Sequence, residues 1–599
     1  MDAVIAGSAV CGNWLMERTL TMSRDENAER NTIMHRLKST KRLLVVCAAG
    51  AILTMALPVL ADGVYRTVVL LDDPVVGDPA AEYGRFAPPW IDKDGGAIYQ
   101  ADISGGVGYR GVWSESGGMS LEYQSETHAP GTPVGTEFDL IRGIVVNKSG
   151  QLGIVSDLDG SYPLVDNTND TGIWSNTSGS LQLIAREGSA APGGPIGALF
   201  DSFASFTRPV LNNNGQMAFM ADMKNGPGGV GSSDRRGIWR STSSGALSLV
   251  VRKNDQVAGG PVGQLHNGFD NPLINENGEL AFKGYLTGTD TTGSGAVIWA
   301  ESGGALGIVA RQGDLAPIVG SIGEEYGSFF NYLSMNTNGN LVFTNRLTIG
   351  IGGVTSDNDT ALWTGAPGSF ELIAREGSQA PDAPAGALLT FVSVPEINAL
   401  DQIAFRGGLE VGTGGVTADT DGAIWSTTSG TTTGPPQIIA REGDAAPGVP
   451  GGIFSSISLP GINDAGQVTF HASLVIGPGG VTTSNATGIW AQLPDGNLSL
   501  VARIGDSIDV DDGPGVDSRT LTGLNYSGFG TGFGNDSGRS HFFNEQGKLI
   551  FNGHFVGGGG GYGDQGVFVW DSNLVPEPAT LSLLALGGLA VLRRRRRRS

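Results

Sequence analysis

Short apolar runs separated by turn residues recur along most of the chain. In the stretch 454–506, FSSISLPGINDAGQVTFHASLVIGPGGVTTSNATGIWAQLPDGNLSLVARIGD, four such runs are set apart by Asn, Asp, Gly and Pro clusters. Each is about four to eight residues long and rich in Val, Ile, Leu and Phe, which predicts antiparallel strands. Strand a (453–462) precedes an Asn-x-x-Gly turn at Asn463–Gly466, and strand b (467–474) follows it. Strand c is the Gly-Ile-Trp segment ending at Trp490, and strand d carries Val-Ala-Arg before Asp506.

The same order of signals returns eight times. Trp113, Trp174, Trp239, Trp299, Trp363, Trp425, Trp490 and Trp570 mark strand c, 60 to 65 residues apart except for a last interval of 80. The turn recurs from Asp92, Asn147, Asn212, Asn275, Asn336, Asn398, Asn463 and Asn544. Asp92 stands for Asn in the first copy and Asp401 for Gly in the sixth. Both replacements suit a tight turn, because Asx side chains bond the turn's own amides and tolerate left-handed backbone. About 62 residues is small for an independent core, so four strands repeating at that period predict an all-β fold, an eight-bladed β-propeller. After Trp570 the last copy has no strand d of its own. Thr67-Val-Val-Leu-Leu-Asp-Asp73 resembles that strand, with Leu70 in place of the arginine, and is expected to close the ring as the outer strand of blade 8. The acidic segment Asp509–Asp517 is taken to account for the long final interval.

The ends read as addresses. Residues 1–33 are a polar extension ahead of a second start at Met34, and 34–61 form a signal peptide, with a basic stretch, an apolar run and predicted cleavage after Ala61. Both cysteines, Cys11 and Cys47, lie before that cut, so the remainder has no disulfide or thiolate metal site. Residues 62–574 hold the eight copies. The segment 575–599 begins Val575-Pro576-Glu577-Pro578, continues as an apolar run 579–592 and ends in six arginines, Arg593–Arg598. Fourteen helical residues rise about 21 Å, short of the ~30 Å hydrocarbon core, so the run is a marginal, transient span with its arginines on the cytoplasmic side.

This tail resembles the PEP-CTERM sorting signal of exported bacterial proteins. The resemblance implies an exosortase-type processing partner, a place in the envelope, at the cell surface or in the extracellular matrix, and a host that often makes exopolysaccharide. The repeats Asn212–Phe219, Asn275–Phe282, Asn398–Phe405 and Asn463–Phe470 resemble tandem NxxGxxxAF-type repeats of exported proteins, which imply no particular activity.

Glycine, at 96 residues, fits turn-dense structure. The whole chain carries a net charge of −22, and without the leader and tail 24 basic and 53 acidic residues remain, a net of −29. Such a surface argues against nucleic acid or anionic lipid and is compatible with cations, glycans or basic partners.

Candidate chemistry is sparse. Arg186, Arg252, Arg311, Arg375, Arg441 and Arg503 recur on strand d; they read as a ligand-binding ring at one channel mouth or, more simply, as bridges to the adjacent blade. The repeated tryptophans read as core. Trp90, beside Pro88 and Pro89, lies outside their register and is the better glycan contact. Asp357, Asp359, Asp419 and Asp421 in the b–c loops, with Asp509, Asp511 and Asp512, are candidate calcium ligands, although no copy completes an EF-hand pattern. His541 and His554 flank one turn as a candidate metal pair. No Gly-x-Ser-x-Gly elbow or HExxH motif is present. These features favour a surface-displayed binding or structural module for exopolysaccharide. The alternative is a polysaccharide hydrolase or lyase on the same scaffold, whose acid and base would lie among residues that break the repeat.

Overall fold

The computed structural model describes residues 64–574 apart from 72, 162–163, 204–207, 292, 294, 321, 428–434, 512–516, 526–536 and 557–563. The signal peptide with Ala61, the sorting tail with Val575, Pro576, Glu577 and Pro578, and Asp512 lie outside the described residues. Eight antiparallel sheets form a β-propeller. Blade 7 gives the pattern: a, Phe454–Ile462; b, Val468–Leu474; c, Thr487–Gln492; d, Leu498–Arg503, hydrogen-bonded in that order. Among the described residues the helices are 3-10 turns of three residues, none long and apolar enough to cross a membrane.

The ring closes through its two ends. Tyr65–Leu70 pairs antiparallel with Asp564–Asp571, strand c of blade 8, with Tyr65 opposite Trp570 and Leu70 opposite Gly566. The outer strand of the last blade therefore comes from the start of the propeller, as expected. One register differs from the sequence reading. Strand b residues seven positions after the turn asparagine face the strand c tryptophan in every other blade, as Phe470 faces Trp490. In blade 8 Phe551 faces Phe568, so Phe568 holds the repeated position and Trp570 sits two residues beyond it.

Each blade packs its faces against both neighbours. One core cluster joins Ala404, Ile424 and Ala440 of blade 6 to Phe454, Phe470 and Trp490 of blade 7. Strands buried on two faces need no polar side, which is why Met217–Asp222 is buried throughout. The tryptophans of blades 1–7 are 3% exposed or less. Trp490 meets the edge of Phe454 from strand a at 5.0 Å and stacks on Phe470 from strand b at 6.3 Å. Its indole donates to the Pro447 carbonyl in the loop entering the blade, and Trp174, Trp239 and Trp425 do likewise to Pro130, Pro192 and Pro381. In blades 1, 2, 3 and 7 the residue two positions earlier is glycine and the indole folds back over it, whereas Val297, Ala361 and Ala423 hold that place in blades 4, 5 and 6. A Cβ on Gly172 would lie 2.6 Å from the Trp174 ring, and one on Gly111 would lie 2.5 Å from that of Trp113.

The turns between strands a and b meet around the axis in a ring of asparagines. The Oδ1 of Asn463 accepts the Gln467 amide and its Nδ2 donates to Asn544 O of the next blade at 2.7 Å. Asn147, Asn212, Asn336, Asn398 and Asn544 donate in the same sense to Asn212, Asn275, Asn398, Asn463 and Asp92, and Asn275 reaches Thr337. In blade 1 the Asp92 carboxylate cannot donate; the Lys93 amide takes over the link, to Lys148 O at 2.7 Å. The glycine of the motif adopts φ near 80° at Gly466, and Asp401 in the sixth copy adopts 61°.

Candidate functional site: a closed well on the axis

Strand a is the innermost strand of each blade, and its inner edge leaves amide groups facing the channel. Four of them are taken up by a segment that belongs to blade 8 alone. Ile274 N donates to Ser537 O, Leu211 N to Gly538 O, Val146 N to the Ser540 hydroxyl and Ile91 N to His541 O, at 2.7–3.2 Å. Ser537–His541 therefore runs along the inner edges of blades 4, 3, 2 and 1 before entering the Asn544 turn. Most of the extra length of the eighth copy lies here, after strand a (Ser518–Asn525), and only part of it in the acidic segment Asp509–Asp517. On the same side Lys148 of blade 2 reaches across the axis to Asp464 of blade 7 at 2.5 Å and Glu545 of blade 8 at 2.7 Å. Burial raises the Glu545 carboxyl, but Lys148 and His541 together hold it below its ordinary value. The asparagine-turn end of the channel is thus closed.

Beside this floor lies a cavity of about 970 Å³, lined by residues of blades 1 to 6 and by Arg539 and Ser540 of the floor segment. Among the described residues its wall holds four arginines, Arg142, Arg208, Arg236 and Arg539, against two carboxylates, Asp270 and Glu396. In a chain of net charge −22 this is a local reversal of sign. Arg142 is fixed by Asp157 and Arg236 by Asp222, each at 2.8 Å, so both are held on the wall by neighbouring strands. Glu396 is buried and accepts the Ser334 hydroxyl at 3.0 Å. Arg539 is carried by the floor segment; burial holds its guanidinium below its ordinary value, nearby Glu396 opposes that shift and Arg208 adds to it. Arg208 is exposed and makes no hydrogen bond or ion pair with the described residues. Two aromatic rings line the same cavity: Trp90, from the inner strand segment Trp90–Ile91 of blade 1, and Tyr332, 44% exposed, from strand a of blade 5 (Tyr326–Met335). Blades 1 and 5 stand opposite each other in a ring of eight.

Trp90 is thus the one residue singled out for ligand contact that lines the cavity. The strand d arginines do not. Strand d is outermost, and Arg186, Arg252, Arg375 and Arg441 each donate Nε to a b–c loop carbonyl of their own blade, those of Asn169, Asp234, Asn358 and Thr420, at 2.8–2.9 Å. Arg311 pairs with Asp290 and Arg503 with Asp506. All but Arg503, which bonds the end of its own strand, pin the b–c loop to strand d; the six form neither a ring at the channel mouth nor bridges between blades. Of the cavity arginines, Arg208 has no counterpart in the other copies, and that departure from register is its sequence signal; Arg236 recurs as Arg110, each ahead of a strand c tryptophan and paired with a strand b aspartate, and Arg142 and Arg539 stand at the same spacing before Asn147 and Asn544.

The b–c aspartates divide in two. Asp357 and Asp419 are exposed in their loops. Asp359, 1% exposed, binds Arg346 at 2.8 Å and lies beside Glu376, while Asp421 lies beside Glu442 and Asp170 beside Glu187. Burial first, and the adjacent aspartate next, push the Glu442 carboxyl above its ordinary value. The Oδ1 of Asp509 accepts the amides of Asp511 and Asp517. His541 lies at the axis and His554 at the far end of strand b (Lys548–Phe555), against Gly523, so the two do not form a pair. Among the described residues no three His, Cys, Asp or Glu side chains gather closely enough to hold a metal ion.

Comparison with known proteins bears on address and lineage. Residues 574–598 match the PEP-CTERM protein-sorting motif, a signal for exosortase processing, which marks the chain as exported to the cell envelope or surface. No curated protein matches the sequence. Solved structures similar to it include the Dos1 propeller (8% identity, TM-score 0.33, covering 82% of this chain and 93% of that one) and the polysaccharide lyase Uly1 (10%, 0.29, 75% and 94%). The α-L-arabinanase of Penicillium chrysogenum complexed with arabinobiose is another (13%, 0.24, 62% and 94%). Across the propeller itself one family model matches in three overlapping segments, residues 67–261, 226–363 and 349–582, and the chain belongs to that family, described as a family of unknown function (DUF7453).

Proposed function

We propose that this exported propeller is a binding module for acidic exopolysaccharide, with the axial well as its site. The observation that carries this reading is the sign reversal at the well, four arginines against two carboxylates within a strongly acidic chain. Guanidinium groups suit carboxylate or sulfate through paired, planar hydrogen bonds. Trp90 and Tyr332 add apolar ring faces of the kind that pack on sugars. The volume lies in the range of pockets that enclose small ligands, ~300–1,000 Å³. A hydrolase needs two accessible carboxyl groups flanking the scissile bond. Here one of the two, Glu396, is buried under Ser334, which favours binding over hydrolysis.

The test is retention of the full chain, in mild detergent, on immobilised polysaccharides: uronate-bearing, sulfated and neutral. Retention on acidic polymers without shortening of the chains is expected. Equal retention on neutral polymers would reject the assignment, and release of unsaturated or reducing ends would replace it with a lyase or hydrolase.

A further inference from the structure

The well has a floor, and the floor is made by the one stretch of chain that the other seven blades lack. Ser537–His541 satisfies inner-edge amides of four blades, and the Lys148 cluster closes the axis beside it. A polymer therefore cannot thread the ring from face to face. What enters must be an end or a pendant branch.

The same segment brings Arg539 into the cavity, within electrostatic reach of Arg208 on the inner side of blade 3. The two like charges share one nearby carboxylate, Glu396, which already accepts the Ser334 hydroxyl. One positive charge is left over, on Arg208, which has no partner among the described residues. We infer that the well captures the acidic terminus of a glycan: a terminal or pendant uronic acid enters carboxylate first, Arg208 and Arg539 hold the carboxylate, and the rings of Trp90 and Tyr332 flank the sugar from opposed blades. This rests on the reading of the chain as an acidic-glycan binder and adds to it which part of the glycan is read. Arg142 and Arg236, tied to Asp157 and Asp222, line the path to the carboxylate without taking it over.

The experiment compares, by calorimetry on the full chain, three probes: an oligouronide, the same oligomer with only its terminal carboxyl reduced to the alcohol, and a monosaccharide bearing sulfate in place of the carboxyl. Reduction of the terminal carboxyl is expected to weaken binding at least about tenfold, the effect of losing a charge-assisted bidentate contact. Arg208→Ala should give a similar loss on the intact oligomer with an unchanged melting temperature, because Arg208 is exposed and has no partner among the described residues. Arg208→Lys should recover part of the affinity. Equal binding of the intact and end-reduced oligomers would overturn end capture while leaving the acidic-glycan reading standing; no binding to any acidic polymer would remove both. Tighter binding of the sulfated monosaccharide than of the uronate would overturn the carboxylate assignment. Full affinity in Arg208→Ala would overturn the residue assignment.

Discussion

At the scale of single residues the repeat is a set of hydrogen-bond and steric necessities. The turn asparagine has three tasks at once: its carbonyl oxygen accepts the amide four residues on, and its amide donates both to the glutamine four residues on and to the next blade. Aspartate can do only the first, which is why blade 1 needs the Lys93 amide. Asn463→Ala should therefore cost about 2–3 kcal/mol, since it strands buried partners on both sides, and denaturant unfolding will read it. Two titrating groups act in opposite directions. His266 is buried against Trp299 and burial lowers it to about 4. The unfolded chain binds its proton first, so as pH falls from 6.5 towards 4 stability is lost, by roughly 3 kcal/mol below both values. His266→Gln should flatten that slope in melts taken across the window. Glu442, raised by burial and by Asp421, binds a proton more readily in the folded state. Its contribution is fully present below the ordinary glutamate range and fades as pH rises through the folded value. Glu442→Gln should accordingly stabilise the protein at neutral pH and leave it unchanged in acid, read from melts at the two pH values.

At the scale of elements the closure strand and the inner strands set the behaviour. Removing Tyr65–Leu70 exposes strand c of blade 8 as an unpaired edge and uncovers Phe568. The shortened chain should melt at lower temperature and self-associate through that edge, measured by calorimetry and light scattering. The strand pattern was legible along the chain because strands c and d repeat a bulge at the tryptophan in blades 1–7, and a bulge kept in register keeps its sequence marks. In the eighth copy the tryptophan pattern points to Trp570, two residues beyond Phe568, which holds the repeated position opposite Phe551. Phe568, with Gly566 two residues before it, fills the same space under the next blade.

At the scale of the whole molecule charge is partitioned. The surface is acidic and the axial well basic, so binding of an acidic glycan should weaken with salt less steeply than binding to an open basic surface, because the well screens its arginines from bulk ions. Titrations at two ionic strengths will measure this. The tail belongs to the same scale: mass spectrometry of the exported protein should find Arg593–Arg598 gone, as the sorting motif at 574–598 requires.

Periodicity, turn chemistry and the unpaired final copy determined the all-β class, the count of eight blades and the closing strand, because each of these is a local rule repeated and then broken at a known place. The core role of the tryptophans was determined in the same way, and the address of the tail by its resemblance to a sorting signal, which residues 574–598 match. Only the tertiary structure decided where the arginines go. A residue on strand d is at the rim and one on strand a is at the axis, and nothing in a linear repeat says which strand is innermost. It also decided that the channel is a well, since the amides that Ser537–His541 satisfies come from four blades spread across almost two hundred residues. Contacts of that range are set by how the ring closes, and no local pattern records them.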